Sequence, residues 1–174
     1  MDRTDRLLVE PLGHEHADGL FAALDDPRVG EHIGGPDVTT IERLHHRIDR
    51  LAEGPPADWA EDRWLNWVAR RTDDGVIVGR LEATAYPAGW AEIAYVFGPA
   101  FWGHGYATEG VRWMIQHLRA ELGIADLWGA VHPDNAGSIR LLERLGFERR
   151  TPPARRPVAS YDDGDLLFEL PAPQ

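Results

Sequence analysis

The chain contains no cysteine and no long apolar run, and each absence excludes a class of protein. Without cysteine the protein forms neither a disulfide nor a thiol nucleophile, which fits a cytoplasmic location. No run approaches the ~18 apolar residues that a membrane span needs, and the polar start Met1-Asp2-Arg3-Thr4-Asp5 lacks the apolar core of a signal peptide. We therefore expect a cytoplasmic protein with no membrane partner.

Basic side chains are also scarce, with 18 Lys and Arg against 29 Asp and Glu and a formal net charge of −11. A nucleic-acid partner is not expected, because phosphate backbones need a basic footprint. The long-range field favours cationic partners, although salt screens it beyond ~8–10 Å. Any bound phosphate has to be held by local backbone dipoles, with Arg112 or Arg140 as the nearest candidate cations.

Composition and length are ordinary for a globular domain. Hydrophobic residues make up 43% and charged residues 27% of 174 residues, which indicates neither disorder nor a fibrous protein. A chain of this length buries a sizeable core. We predict a single domain over residues 1–174.

Hydrophobic periodicity and turn residues predict the element order β α α β β β α β α β β. This order describes a mixed α/β (α+β) sheet in which an antiparallel meander feeds one β-α-β unit, not a doubly wound dinucleotide fold. The second helix opens with a capping box, Thr39 to Glu42. The predicted strands are 7–12, 63–70, 76–84, 90–97, 127–131, 147–151 and 165–170, and the predicted helices are 16–24, 39–52, 108–122 and 136–145.

The stretch 90–107 is the one around which the chain is organised. A buried strand, 90–97, leads through Gly103 and Gly105 into the amphipathic helix. Glycines let successive N–H groups turn toward one point, and the helix N-terminus adds unpaired amides and partial positive charge. This predicts a phosphate-binding loop, with an ordinary tight βα turn as the alternative. The loop has neither the third glycine of the dinucleotide fingerprint nor the Gly-Lys-Ser/Thr of a P-loop.

A second motif, from Asn135 to Phe147, reads Asn-Ala-Gly-Ser-Ile-Arg-Leu-Leu-Glu-Arg-Leu-Gly-Phe. Together with Phe101 to Glu109 it resembles the GNAT superfamily of acyl-CoA-dependent N-acetyltransferases, most of all the ribosomal-protein N-terminal (Rim-type) branch. The superfamily's usual Gln/Arg-x-x-Gly-x-Gly/Ala loop is matched at Gly105 and Ala107. Trp102 stands where the Gln/Arg usually does, which removes one cationic contact and leaves the backbone amides to bind phosphate.

The resemblance implies a GNAT fold in which strand 90–97 splays from strand 127–131. The pantetheine arm of acetyl-CoA then lies in the gap and pairs with main-chain groups, like an added strand. Amides of the loop hold the pyrophosphate, and Asn135 bonds to the pantetheine arm. The residues so assigned to the cofactor are Val96, Phe97, Gly98, Trp102, Gly103, His104, Gly105, Tyr106, Ala107, Thr108, Asn135 and Ser138.

The chemistry requires a neutral amine, a polarised carbonyl and a protonated leaving thiolate. A lysine-type amine with a pKa of ~10.4 is almost entirely charged near neutral pH, so general-base help worth ~10²–10⁴-fold is needed. Glu92, an acid inside an apolar strand, is the candidate base; the alternative is a solvent-facing carboxylate. By family analogy a backbone N–H near Val96 stabilises the oxyanion, and Ser138 protonates the thiolate unless it only serves the helix terminus.

No metal site is expected. The histidines in 14–16 and 45–46 do not converge on one ion without further ligands. Trp64 and Trp67 fall on opposite faces of one strand. With Glu31, His32 and loop 54–62, they are the candidates for acceptor selectivity.

The sequence thus predicts transfer of an acetyl group from acetyl-CoA to a primary amine by direct attack in a ternary complex. The acceptor stays open among a protein N-terminal α-amine, an amino acid or peptide, a polyamine and an amino-bearing antibiotic. A homodimer is possible. The alternative function is a non-catalytic module that binds acyl-CoA or sequesters an amine.

Overall fold

The computed structural model describes residues 1–33, 40–151 and 158–173, which form one mixed sheet with α-helices on both faces. The predicted element order is confirmed, with one additional short strand at the start of the chain. Thr39 lies outside the described residues, and the second helix begins where the Thr40 side chain accepts the N–H of Arg43. The elements are β1 (Asp2–Arg3), β2 (Leu7–Pro11), α1 (Ala17–Leu24), α2 (Ile41–Glu53), β3 (Arg63–Arg71), β4 (Ile77–Tyr86), β5 (Trp90–Phe97), α3 (Tyr106–Leu122), β6 (Asp126–Val131), α4 (Ala136–Arg144), β7 (Glu148–Arg150) and β8 (Leu166–Leu170).

The strands lie side by side in the order β1-β2-β3-β4-β5-β6-β8-β7. Within the described residues every neighbouring pair is antiparallel except β5 and β6, which are parallel because α3 crosses over between them. The predicted meander is β3, β4 and β5. It delivers β5 to the centre of the sheet, directly before the glycine loop.

Two hydrophobic cores cover the two faces of the sheet. Helices α3 and α4 pack on one face, over Ala83 and Ile93 among others. Helices α1 and α2 pack on the other, over Val68. Since side chains alternate along a strand, Glu92 and Ala94 point to the α1–α2 face. This face carries polar side chains where the two helices do not cover the sheet.

The two tryptophans of β3 separate as alternation predicts. Trp67 is buried in the α3 core, edge-on to Trp113 with ring centroids 5.4 Å apart. Trp64 lies on the opposite face, half-buried, where it lines an open cavity.

Candidate active site

The central pair of parallel strands separates part-way along its length. β5 and β6 are in register only from Trp90/Asp126 to Glu92/Trp128. Beyond that point β5 continues beside β4 as far as Phe97, and β6 continues beside β8 as far as Val131. One edge of β5 is therefore left open after Glu92, as the resemblance implies.

Main-chain groups of alternate residues face this open edge. The N–H of Gly98 bonds to the carbonyl of Val78, so the even-numbered residues of β5 direct their amides toward β4. The carbonyl of Phe97 instead accepts the Trp102 indole N–H at 2.6 Å, outside the β4 ladder. The amides of Tyr95 and Phe97 therefore face the gap, while that of Val96 faces β4.

Beyond the gap lies a cavity of about 630 Å³, which we call the donor cavity. Ten of the twelve residues predicted to bind the cofactor line it. Gly98 does not, because it is buried against α1, where an added Cβ would lie 2.1 Å from the Ala23 carbonyl oxygen. His104 does not line it either; its ring bonds back to the Trp102 carbonyl at 2.9 Å. The ten are Val96, Phe97, Trp102, Gly103, Gly105, Tyr106, Ala107, Thr108, Asn135 and Ser138.

The glycine loop ends directly at the N-terminus of α3. Gly103 and Gly105 have φ of +77° and +83°, in the left-handed region that glycine adopts without strain, and Gly105 is the residue before the first helical turn. The first amides of a helix have no partner within it, so those that follow Gly105 are available to an anion.

The N-terminal segment holds this loop in place. Arg6 donates to the carbonyl of His104 at 2.8 Å, and its guanidinium lies 4.8 Å from the centroid of the Tyr106 ring. The same arginine pairs with Glu109 at 2.7 Å. Burial raises the pKa of Glu109, but hydrogen bonds from Thr4 and Arg6 outweigh it, so that pKa is lowered. Glu109 is therefore a positioning residue for the loop as well as a favourable charge at the helix N-terminus.

Asn135 caps helix α4. Its side-chain oxygen accepts the N–H of Ser138 at 3.0 Å, at the start of α4. The NH₂ group of Asn135 bonds to no described residue and is available in the donor cavity. Capping and cofactor binding are therefore compatible.

Sequence reasoning missed Tyr95, which lines the same cavity. Its hydroxyl is buried and makes no well-formed hydrogen bond to a described residue. Burial raises the pKa of Tyr95 to about 12, with the nearby Ser138 side chain opposing the rise. Only the fold shows this proximity, because Tyr95 and Ser138 are 43 residues apart on β5 and α4.

A second cavity, of about 570 Å³, opens on the α1–α2 face and is called here the acceptor cavity. Glu92 and Ala94 line it, whereas Tyr95 lines the donor cavity, so the two linings meet between Ala94 and Tyr95. Of the selectivity candidates, Trp64 and Trp59 line the acceptor cavity. Glu31 and His32 line the donor cavity instead.

Glu92 is only 8% exposed and is firmly held. Its Oε1 accepts the N–H of Ser160 at 2.8 Å, and its Oε2 accepts the N–H of Ala159 at 2.7 Å and the Tyr86 hydroxyl at 3.3 Å. Each carboxylate oxygen has two acceptor positions, so Oε1 retains one for a ligand. The solvent-facing alternative is excluded by this burial, and Glu92 fixes residues 159–160 as a wall of the cavity.

Comparison with known proteins identifies the family. The profile described as "Acetyltransferase (GNAT) domain" matches residues 6–148. The chain belongs to the GNAT acetyltransferase family. This N-acetyltransferase is 28% identical over 148 residues to the uncharacterized N-acetyltransferase YoaA of Bacillus subtilis, covering 84% of this chain and 81% of that protein. It is also 28% identical over 156 residues to the FsC-acetyl coenzyme A-N(2)-transacetylase of Aspergillus fumigatus, covering 83% of this chain and 63% of that one.

Solved structures share the acetyltransferase's fold. A GNAT-family acetyltransferase from Bacillus anthracis superposes with a TM-score of 0.76 at 19% identity, covering 97% of this chain and 96% of that chain. The ribosomal-protein-S5-alanine acetyltransferase from Vibrio fischeri superposes with a TM-score of 0.73 at 16% identity, covering 98% and 96%. Sequence identity at this level supports a shared fold only. The acceptor is therefore inferred from the cavities.

Residues 1–33, 40–151 and 158–173 contain neither a metal-binding cluster nor a membrane-spanning helix. No group of three or more His, Asp or Glu side chains there is placed to hold a metal ion. His14 and His45 stack on each other, with ring centroids 5.0 Å apart, and His14 bonds to Asp49 at 2.7 Å. None of the described helices is long and apolar enough to cross a membrane.

Proposed function

We propose that residues 1–174 act as a single domain that transfers an acetyl group from acetyl-CoA to a primary amine, with both substrates bound at once. The observation that carries this proposal is the opening of the sheet after Glu92 and Trp128, with one cavity on each side of it. Direct attack needs the amine and the thioester to meet at one point, and the linings meet between Ala94 and Tyr95.

The donor cavity fits acetyl-CoA, which supplies the thioester carbonyl carbon. The amides that follow Gly105 receive the diphosphate. The open edge of β5 receives the pantetheine amides through the main chain of Tyr95 and Phe97, as an added strand would be received. The Asn135 NH₂ group donates to the same arm, and Val96 contributes its side chain.

We assign the oxyanion donor to the N–H of Tyr95 rather than that of Val96. The charge that develops on the carbonyl oxygen needs a donor that faces the gap. Alternation along β5 directs the Tyr95 amide there and commits the Val96 amide to β4. The prediction made from sequence near Val96 is thus moved by one residue.

Glu92 is proposed to take the proton of the attacking amine, directly or through one water, at the free position on Oε1. Ser138 is proposed to protonate the leaving thiolate, with the Tyr95 hydroxyl beside it. The high pKa of Tyr95 keeps that hydroxyl protonated at neutral pH. A thiol has a pKa of ~8.5. The leaving thiolate therefore needs less help from an acid than a lysine-type amine needs from a base.

A thiol-release assay tests the proposal with little background. The chain has no cysteine to add thiol signal and no lysine to act as a competing side-chain acceptor. We expect CoA to raise the melting temperature and at least one amine of a broad panel to release CoA thiol. Asn135→Ala is expected to weaken the protection by CoA.

Two outcomes would contradict the proposal in different ways. Protection by CoA without thiol release on any amine would favour the non-catalytic acyl-CoA-binding alternative. No protection and no release would remove acetyl-CoA as the donor.

A further inference from the structure

The acceptor cavity brings two arginines together within a strongly acidic protein. Its lining includes Arg47 and Arg50 from α2, against Glu82 from β4 and Glu92 from β5. A third arginine, Arg80, reaches Glu82 from the same strand. The lining thus has two arginines and two carboxylates, whereas the whole chain has a net charge of −11.

Glu82 already bonds to two of these arginines. Its Oε1 accepts from Arg47 at 2.6 Å and also contacts Arg80. Burial raises the pKa of Glu82, but the two guanidinium groups outweigh it and lower that pKa, so the carboxylate stays charged. Glu82 therefore fixes the position of the Arg47 guanidinium at the edge of the cavity.

Two donors on α2 are left for a ligand. The Nε–H of Arg47 is buried without a hydrogen-bond partner among the described residues. A buried donor left unpaired is costly, which favours a ligand acceptor at this point. Arg50 lies one turn further along the helix, lines the cavity and pairs with no described residue.

These donors lie close to the point of attack. Glu82 is the cross-strand partner of Ala94, and Thr84 is the partner of Glu92. The Arg47 guanidinium therefore lies over the cross-strand pair that contains Ala94. Cross-strand pairs that are two residues apart are separated by about 7 Å along the strands. An amine at Glu92 and an anion at Arg47 are thus about 7 Å apart, which is the length of about two residues of extended chain.

We propose that the acceptor is a primary amine that carries a carboxylate within about two residues' length, with the carboxylate bound by Arg47 and Arg50. Carboxylate matches the fork of guanidinium donors. Trp64 and the 60%-exposed Trp59 flank the same cavity and provide apolar surface for the rest of the molecule. The inference rests on the proposed function and names the substrate class of its acceptor side.

Matched pairs of acceptors test it. Thiol release is measured for free amino acids against their carboxamides, and for amidated peptides with Glu against Gln as second residue. The two arms separate a free amino acid from a peptide as the source of the carboxylate. We expect kcat/KM to favour the carboxylate member by about tenfold or more in at least one arm. Arg50→Gln is expected to abolish that preference through KM for the amine, with protection by CoA unchanged.

Arg43→Gln is the matched control, because it removes a guanidinium from the same helix outside the cavity lining and should retain the preference. Arg47→Gln gives a second test, with its melting temperature checked against the wild type. Equal use of acids and amides, a preference for polyamines, or a preference that survives in Arg50→Gln would overturn the inference and leave the proposed function standing. Failure of every amine would overturn both.

Discussion

The donor and acceptor cavities are of similar volume but are built in different ways. Most of the donor cavity comes from two continuous segments, 101–108 and 134–144, at the N-termini of α3 and α4. The acceptor cavity takes one to three residues from each of α2, β3, β4 and β5 and from the segment before β8. The proposed function assigns backbone amides of the first cavity to acyl-CoA and side chains of the second cavity to selection of the amine. Substitutions should therefore separate donor binding from acceptor chemistry.

The largest separation is expected from Glu92→Gln. Loss of the base should lower kcat/KM for a side-chain amine by about 10²–10⁴-fold. Protection by CoA should be unchanged, because Glu92 lies outside the donor cavity. Steady-state thiol release with a thermal melt measures both quantities.

Measuring activity over a pH series distinguishes a Glu92 that acts as a base from a Glu92 that only holds residues 159–160 in place. Below its pKa an amine gains about tenfold in neutral fraction per pH unit, so raising the pH should partly rescue the Glu92→Gln variant if deprotonation is what it lost. Loss of activity that is equal at pH 7 and pH 9 would contradict the role as base. Tyr86→Phe, which removes a neighbouring hydroxyl and keeps the carboxylate, should have little effect.

The next effect acts on the donor cavity alone. Gly105→Val places a β-branched residue at φ +83°, with its Cβ 3.3 Å from the Arg6 guanidinium. Strain of about 1–3 kcal/mol should deform the loop. We expect the Kd for CoA to rise by about tenfold or more, since 1.4 kcal/mol corresponds to tenfold. Titration calorimetry measures it.

Gly123→Val is the control for this substitution. Gly123 has φ +67° at the end of α3, with open space where the Cβ would lie. The Gly123→Val variant should be less stable because of a comparable backbone strain, and it should retain its affinity for CoA. Equal loss of affinity in both variants would show that the effect is not local to the loop.

The smallest effect concerns the segment that holds the loop. Glu109→Gln should lower the free energy of unfolding at pH 7 by about 1–3 kcal/mol, because hydrogen bonds to a charged acceptor are lost. The pKa of Glu109 is lowered in the folded state, so its contribution is present above the ordinary value of 4.5 and is lost as pH falls through the folded-state pKa. Denaturant unfolding in a series from pH 7 to pH 3 should show the difference between the two proteins shrinking below pH 4.5. A difference of the same size at every pH would contradict the assignment.

The fold and the donor cavity followed closely from sequence because their signals are local. Glycines at 103 and 105, the helix that follows and the Asn135 motif are read from neighbouring residues. The differences from the expected arrangement are of register: Gly98 is buried under α1, His104 folds back onto its own loop, and the amide that faces the gap is that of Tyr95. A one-residue shift reverses the direction of a strand amide, and spacing alone does not fix which edge stays open.

The amino-acid sequence determined the order of elements, the glycine loop before α3 and the family, because each depends on residues close together in the chain. Only the tertiary structure decided that Tyr95 lies beside Ser138, that Glu92 holds residues 159–160, and that Arg47 shares Glu82 with Arg80. Those contacts join residues from separate strands and helices. Their proximity depends on strand pairing and helix packing, which no short stretch of sequence contains.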